Sequence, residues 1–523
     1  MNTQKVMTLM FSYALALAML QSALTAPTPS GVVQTTHGAV RGTVDEFAGS
    51  VYTSFTGIPF AKPPVGALRF KPPQQPDSWD DVLNATEFSS ICPQVLQDMP
   101  DDDMRSEDCL HLNVYVSGDV AQNRSESLPV MVYIHGGGLS MGSAPSFDGT
   151  LLVTQAEPIV LVTIQYRLGI LGFFSSGDSE VPGNAGFLDQ VLALQWVRDN
   201  IDAFGGDSSR VTVFGQSSGG QSVLMHLISP MSAGLFHRAI AQSPVASWRF
   251  PELDVYRGHY YDMAMAEHNC TAQDTLVCLQ NMPWQELIND DNWNPVIDGT
   301  FLLEQPQDAF ANGRFHADVD VIIGFNNDDA LDTAAGFVDF VFNTANFGPL
   351  VDGVSDAAVT DHVLETSLTL TVSELGLENP QPTYPTYDGM FTATRHGTVP
   401  TNHDQITTML RSKYTNSNDP IQNARLLLDS LRDSAYVAFS LWTAAQLGAH
   451  DVNIYVYSFN HRSAHLGSQP TDEVQLGAPH GHDVLYVFGA PSLGSSGSPS
   501  YTTDEAALSQ VMMTSWTTFA TNG

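Results

Sequence analysis

Apolar residues along this chain fall into short β-branched runs that alternate with stretches of helical spacing. Residues 38–44 (GAVRGTV) and 51–56 read as early strands joined by a turn. Residues 112–116 and 130–134 are further strands, and 159–165 (IVLVTIQ) has the unbroken apolar run of a parallel strand covered on both faces. Residues 188–204 (LDQVLALQWVRDNIDAF) carry a helical apolar stripe that stops at Gly205-Gly206. A buried strand at 211–214 follows, then a helix start at 221–228. Strand and helix alternate in this way to about residue 245, which predicts a mostly parallel sheet with helices on both faces. Beyond it, 247–320 reads as more helical and irregular, and 319–325 (VDVIIGF) and 454–459 return as strands. Weaker helical patterns occupy 333–450, clearest at 424–447, and 506–519 reads as a last helix.

Length and composition narrow the classes. A chain of 523 residues could hold three average domains, but large α/β enzymes run long as one unit, and no repeat or low-complexity tract divides this one. One domain over residues 27–523 is the expectation. The net charge is −36, and the lysines are only Lys5, Lys62, Lys71 and Lys413. Nucleic acid and anionic membranes are repelled by a field of that sign. Solubility in a salty or acidic medium accounts for it better than the capture of cationic substrates.

Residues 1–26 have the layout of a secretory signal peptide. Lys5 is the positive end, 6–20 is mostly apolar, and small residues at 23–26 offer cleavage points. The apolar run is short for a membrane span, and no later stretch is long and apolar enough to be one. Export makes Cys92, Cys109, Cys270 and Cys278 a disulfide question with three possible pairings. The local pairs Cys92–Cys109 and Cys270–Cys278 are preferred. The sequons at Asn84, Asn123 and Asn269 mark candidate N-glycosylation sites.

The chemistry concentrates at Gly215-Gln216-Ser217-Ser218-Gly219. A strand before it and a helix after it make a sharp turn that lifts the Ser217 hydroxyl above the sheet edge. Residues 138–142 (GLSMG) fit the same pattern around Ser140, but Ala144-Pro145-Ser146 follows and no helix is expected there, so context selects Ser217. His135-Gly136-Gly137-Gly138 comes directly off the strand at 130–134. Three glycines let backbone N–H groups converge on a substrate oxygen and stabilise an oxyanion.

With these motifs in place, the chain resembles the type-B carboxylesterase/lipase family, the cholinesterase-like α/β-hydrolases. Matching segments run in order along nearly the whole chain: 57–66, 106–110, 135–138, Tyr166-Arg167, 183–190, 200–207, 215–220, 295–299 and 477–489. The resemblance implies an α/β-hydrolase fold with a large, mostly parallel central sheet, and a chain order of serine, acid, histidine. Ser217 would be the nucleophile. Of sixteen histidines, His480 matches the family's histidine loop in GAPHGHDV, with His482 as its neighbouring competitor. Where the family has glutamate as acid, 324–330 (GFNNDDA) puts Asp329 in the slot, one methylene shorter. Either the loop approaches His480 more closely or Asp328 serves instead, and Asp329 is preferred. The same matching gives the oxyanion hole to the N–H groups of Gly137, Gly138 and Ser218. Ser218 replaces the family's usual alanine, at no expected cost because only its backbone is used. Gln216 stands where the family often has glutamate, and Ser243 and Asp483 match positions that support the histidine.

What the resemblance implies is a secreted, glycosylated serine esterase acting on small-molecule esters, with no metal or organic cofactor. The family also hosts catalytically silent adhesion domains, which have typically lost the serine or histidine kept here. A lipase would need an apolar lid, and the loop between Cys92 and Cys109 is acidic. A cholinesterase would need aromatic faces that this loop and residues 330–335 lack. Family members usually continue past the position of Gly523, so a further C-terminal segment is expected.

Overall fold

The structure is a computed structural model describing residues 27–95, 104–120, 127–245, 250–257, 261–271, 275–288, 293–329, 429, 432–463, 477–492 and 501–523. The signal-peptide segment, Asn123, residues 330–335 and most of the pattern at 333–450 lie outside the described residues.

Among the described residues eleven strands form one sheet. They are β1 (Thr28–Gln34), β2 (Ala39–Phe47), β3 (Ser50–Pro59), β4 (Leu83–Asn84), β5 (His111–Ser117) and β6 (Leu128–Ile134), followed by β7 (Val160–Ile164), β8 (Gly206–Gln216), β9 (Arg238–Gln242), β10 (Asp320–Asn326) and β11 (Ile454–Phe459). Their order is β1-β2-β3-β5-β7-β6-β8-β9-β10-β11, with β4 beside β2. In that order the pairs from β1 to β7 are antiparallel and those from β7 to β11 parallel, while β4 lies parallel to β2. The apolar run at 159–165 is therefore the seam: β7 is parallel to β6 and antiparallel to β5. Both of its faces are buried, as its composition requires.

Alternation along the central strands divides the core in two. Val130, Val132 and Ile134 of β6 join one apolar cluster, while Met131 and Tyr133 join the other. The first cluster is covered by α1 (Ala185–Asn200) and α2 (Ser218–Ile228), through Phe187, Val191, Leu194, Val223 and Leu224. The second is covered by α4 (His482–Val487) and α5 (Thr503–Asn522), through Leu485, Val487, Met513 and Trp516. In α5, the Thr502 side chain and Glu505 form a reciprocal cap at the helix start. α3 (Ala438–Gly448) follows a π-helical turn at Asp433–Val437, within the stretch expected to be helical.

Several boundaries differ from the pattern. α1 begins at Ala185 because left-handed Asn184 turns the chain into it, and its last turn, Ile201–Phe204, tightens to a 3-10 helix. α2 begins at Ser218, directly after the candidate nucleophile. A single 3-10 turn does form at Ala144–Ser146, with Pro145 in its first turn where no N–H is needed, but it does not extend.

Both local disulfides are formed, Cys92–Cys109 and Cys270–Cys278. Asn84 and Asn269 are exposed. Behind the sheet's carboxyl edge, Arg167 and Asp189 make a two-pronged ion pair of 2.8 and 2.7 Å, closed by the Arg167 N–H at 3.0 Å. Burial pushes the Asp189 carboxyl up and Arg167 holds it down. Removing one partner strands a buried charge, so Asp189→Ala should cost about 3–5 kcal/mol in a denaturant titration. A loss below about 1 kcal/mol would show that solvent reaches the pair.

Candidate active site

Strand register brings the candidate residues together. Ile134 at the end of β6 pairs with Gly215 of β8, Gln216 pairs with Gln242 of β9, and Gln242 pairs with Gly324 of β10. The segments that leave these four ends carry the glycine run, Ser217, Ser243 and the loop 326–329. They emerge side by side at the carboxyl edge of the parallel strands, the usual place for a site in such a sheet.

Ser217 sits at φ 59°, ψ −125°, a region that non-glycine residues rarely occupy. Its N–H is held by the Gln242 carbonyl at 2.8 Å. Its side chain makes no capping bond to α2, so the hydroxyl is not spent on the helix. The glycines make the turn possible. A Cβ on Gly219 would lie 2.1 Å from the Ile134 carbonyl oxygen, and one on Gly215 would lie 2.6 Å from the Gly219 carbonyl carbon. The HGGG segment lies against the turn, since a Cβ on Gly136 would be 3.1 Å from the Ser217 Cβ. Ser140 is not on a turn of this kind; its hydroxyl donates to the Gly137 carbonyl at 3.3 Å.

The histidine loop approaches from the other side. His480 Nδ1 is 2.8 Å from Asp329 Oδ1, and the imidazole is nearly buried. Asp329 Oδ2 accepts from the Ser243 hydroxyl at 2.8 Å and from the Asn326 N–H at 2.6 Å. Ser243 thus supports the carboxylate, and the histidine only through it. A short aspartate reaches because the two loops are stitched together. The Asp328 N–H donates to the Ala478 carbonyl at 2.9 Å, and Asn326 Nδ2 donates to the Pro479 carbonyl at 2.7 Å. The Asp328 carboxylate accepts from the Gly477 N–H. His482, the competing histidine, is the buried first residue of α4.

Asp483 sits at the centre of a buried network next to the site. It accepts from Tyr457 Oη at 2.6 Å, Gln242 Nε2 at 2.8 Å and Asn326 Nδ2 at 3.2 Å. It therefore ties the ends of β9, β10 and β11 beneath the site, and Asn326, which it holds, also donates to the Pro479 carbonyl beside His480. Burial raises the Asp483 pKa, and the bonds from Tyr457 and Gln242 oppose the rise.

Gln216 Nε2 lies 3.0 Å from His480 Nε2. With Nδ1–H donated to the Asp329 carboxylate, Nε2 carries the lone pair and the amide is its donor. Sequence reasoning missed the ring of Tyr436, which lies over the imidazole with centroids 4.7 Å apart. Nothing in its neighbourhood of the sequence marks it, because a π-helical turn places it. Sequence reasoning also misjudged Ser218, whose hydroxyl is bonded: it accepts from the Leu139 N–H at 3.1 Å.

Comparison with known proteins fits this geometry. Residues 29–523 match the carboxylesterase family. The chain belongs to that family. Among its relatives, carboxylesterase 1C of Mus musculus is 32% identical over 94% of this chain and 85% of its own length. An acylcarnitine hydrolase of Rattus norvegicus is 36% identical over 94% and 84%, and a cocaine esterase of Oryctolagus cuniculus 35% over 94% and 87%. Membership supports the α/β-hydrolase fold and the hydrolysis of carboxylic esters. No helix of the described residues is long and apolar enough to cross a membrane.

His135, at the root of the glycine run, is fully buried and stacked on Tyr166 with centroids 4.4 Å apart. Burial lowers its pKa to about 4, against a weaker upward pull from the Gly136 carbonyl. A histidine near 6.5 when unfolded and near 4 when folded contributes stability above pH 6.5 that is lost as pH falls toward 4. Each pH unit in that window is worth about 1.4 kcal/mol. Denaturant titrations at pH 7 and pH 5 should show that His135→Gln removes about 2 kcal/mol of the wild-type decline. Equal declines would mean that the imidazole is protonated in the folded state.

Proposed function

We propose that the chain is a secreted serine carboxylesterase that hydrolyses neutral carboxylic esters through an acyl-enzyme intermediate. The observation that carries this reading is the 2.8 Å contact of His480 Nδ1 with a buried Asp329, on loops that meet beside the strained Ser217 turn. Asp329 fixes the tautomer, so Nε2 faces the nucleophile as a base. In the resting geometry Nε2 is met by the Gln216 amide, which must give way to the Ser217 hydroxyl. Such contacts commonly tighten only when substrate is bound.

In the first step Ser217 Oγ attacks the ester carbonyl carbon and its proton passes to His480 Nε2. The oxygen of the tetrahedral intermediate takes its negative charge into the N–H groups of Gly137, Gly138 and Ser218. Among the described residues no backbone acceptor is found for the first two, and the third opens α2, where helix N–H groups lack partners. The ester C–O bond breaks and the alcohol leaves with the proton from His480. Water then repeats the attack on the acyl carbon, giving its proton to His480, and the acid and free Ser217 are released.

The local disulfides and the exposed sequon residues Asn84 and Asn269 support an exported, glycosylated protein. Charge and site chemistry pull substrate choice in opposite directions. A chain at −36 attracts cations at long range, but that field is screened within about 8 Å at physiological salt. Capture of a quaternary ammonium at the site needs aromatic faces. Residues 93–108 have none, and Tyr436 spends its ring on His480.

Turnover of a chromogenic short-chain ester tests the roles. Ser217→Ala should fall to background in a folded protein. Asp329→Asn should lose about 10⁴-fold, as triad acids do, while Asp328→Asn stays within about tenfold. The reverse ranking would move the acid by one residue, and a silent wild type would favour a binding domain. In a paired assay, a neutral ester should show higher kcat/KM than its choline isostere at physiological ionic strength. Preference for the choline ester would restore a cholinesterase reading.

A further inference from the structure

The glycine run does not hold its own shape. Gly137, Gly138 and Leu139 all have positive φ, at 115°, 66° and 59°. For leucine this backbone is unfavourable by roughly 1–2 kcal/mol and persists only where neighbours enforce it. Leu139 is pinned at both of its peptide groups. Its carbonyl accepts from the Gly169 N–H at 2.8 Å, and its N–H donates to the Ser218 hydroxyl at 3.1 Å. Ser218 is 1% exposed, so no water replaces that acceptor readily. The same hydroxyl also interacts with the Tyr166 phenol, acting against the rise that burial imposes on its pKa. That phenol in turn donates to the His135 carbonyl at 2.7 Å. The Ser218 hydroxyl thus holds the Leu139 end of the segment, and the Tyr166 phenol holds its His135 end.

We propose that the Ser218 hydroxyl is a positioning group, a latch that aims the Gly137 and Gly138 N–H groups at the oxyanion. The inference rests on the esterase reading above and adds to it a side chain where only the Ser218 backbone had a role. Placement is local and mechanically direct. Ser218 follows the nucleophile in sequence, so a latch from Oγ to Leu139 N fixes the distance between the nucleophile and the donors. Its anchorage is firm as well. The Ser218 carbonyl accepts from the Ser222 hydroxyl at 2.8 Å, and Ser222 accepts from Gln190 Nε2 at 3.3 Å. Alanine here keeps the N–H for the oxyanion but leaves the buried Leu139 N–H without its acceptor. Donors matter in catalysis through preorganisation, so a loosened segment weakens transition-state binding more than substrate binding.

Ser218→Ala separates the latch from a merely structural role when rates are expressed per active site titrated by burst amplitude. The expected result is a kcat roughly tenfold lower with KM within twofold, and a matching loss of affinity for a trifluoromethyl ketone, whose adduct with Ser217 mimics the tetrahedral intermediate. Unchanged kcat per site and unchanged ketone affinity would overturn the proposal, whatever happens to thermal stability. In the wild type, the Leu139 amide should be strongly protected in hydrogen exchange. Free exchange there would overturn it without any variant. If the wild type neither turns over esters nor binds the ketone, the esterase reading fails, and protection at Leu139 still reports on the latch.

Discussion

The bond between Asp329 and His480 depends on two loops being held at a fixed distance by bonds of their own. The acid loop leaves β10 and the histidine loop leads into α4, elements far apart in sequence. Asn326 and the backbone of Asp328 sew one to the other along Ala478 and Pro479. Beneath them Asp483 gathers Tyr457, Gln242 and Asn326 around one buried carboxylate. Buried polar groups of this kind carry heavy penalties when a partner is lost, so the network is rigid for the same reason that it is costly. The aspartate is short, and the stitching supplies the reach that a longer acid would have brought.

Sheet register does for the proposed nucleophile, Ser217, what the stitching does for the proposed base, His480. Ile134, Gly215, Gln242 and Gly324 lie across four adjacent parallel strands, so a slip in any pair would displace the glycine run, the serine or the acid loop. The apolar alternation of β6 and β8 into opposite cores resists such a slip, because it would turn whole side-chain sets to the wrong face. Close backbone contacts at Gly215, Gly136 and Gly219 then leave the turn no alternative residue with a side chain. Packing, register and backbone strain converge on one serine.

Much of this was legible in the sequence, for physical reasons that are specific. Residues 130–134 and 211–214 read as strands because buried parallel strands are short, mainly apolar runs, and 454–459 because its Ile, Val and Tyr residues favour a strand even at the half-exposed sheet edge where β11 lies. The glycines announced close backbone approach, and the GAPHGHDV run pointed to His480. β1 and β9 were not read: β1 is a half-exposed edge strand containing Pro29 and Gly31, and β9 is five residues with Arg238 and Gln242 at its ends. Partners set by tertiary contact left no trace either. Tyr436 reaches His480 from a π-helical turn, and the side chains of Gln242 and Asn326 look like ordinary polar residues at strand ends. Ser218 was read as a silent replacement because a motif records which backbone it needs and not which hydroxyl finds a partner.

The central claim is that strain, register and the Asp329–His480 pair activate one serine. Phosphonylation tests it most directly. The protein is treated with a fluorophosphonate, digested, and the modified peptide is mapped by mass spectrometry, with Asp329→Asn run beside the wild type. The account predicts a single adduct on Ser217 at one per chain, formed far more slowly in the variant. An adduct on Ser140, or labelling of Ser217 at equal rates in both proteins, would contradict it.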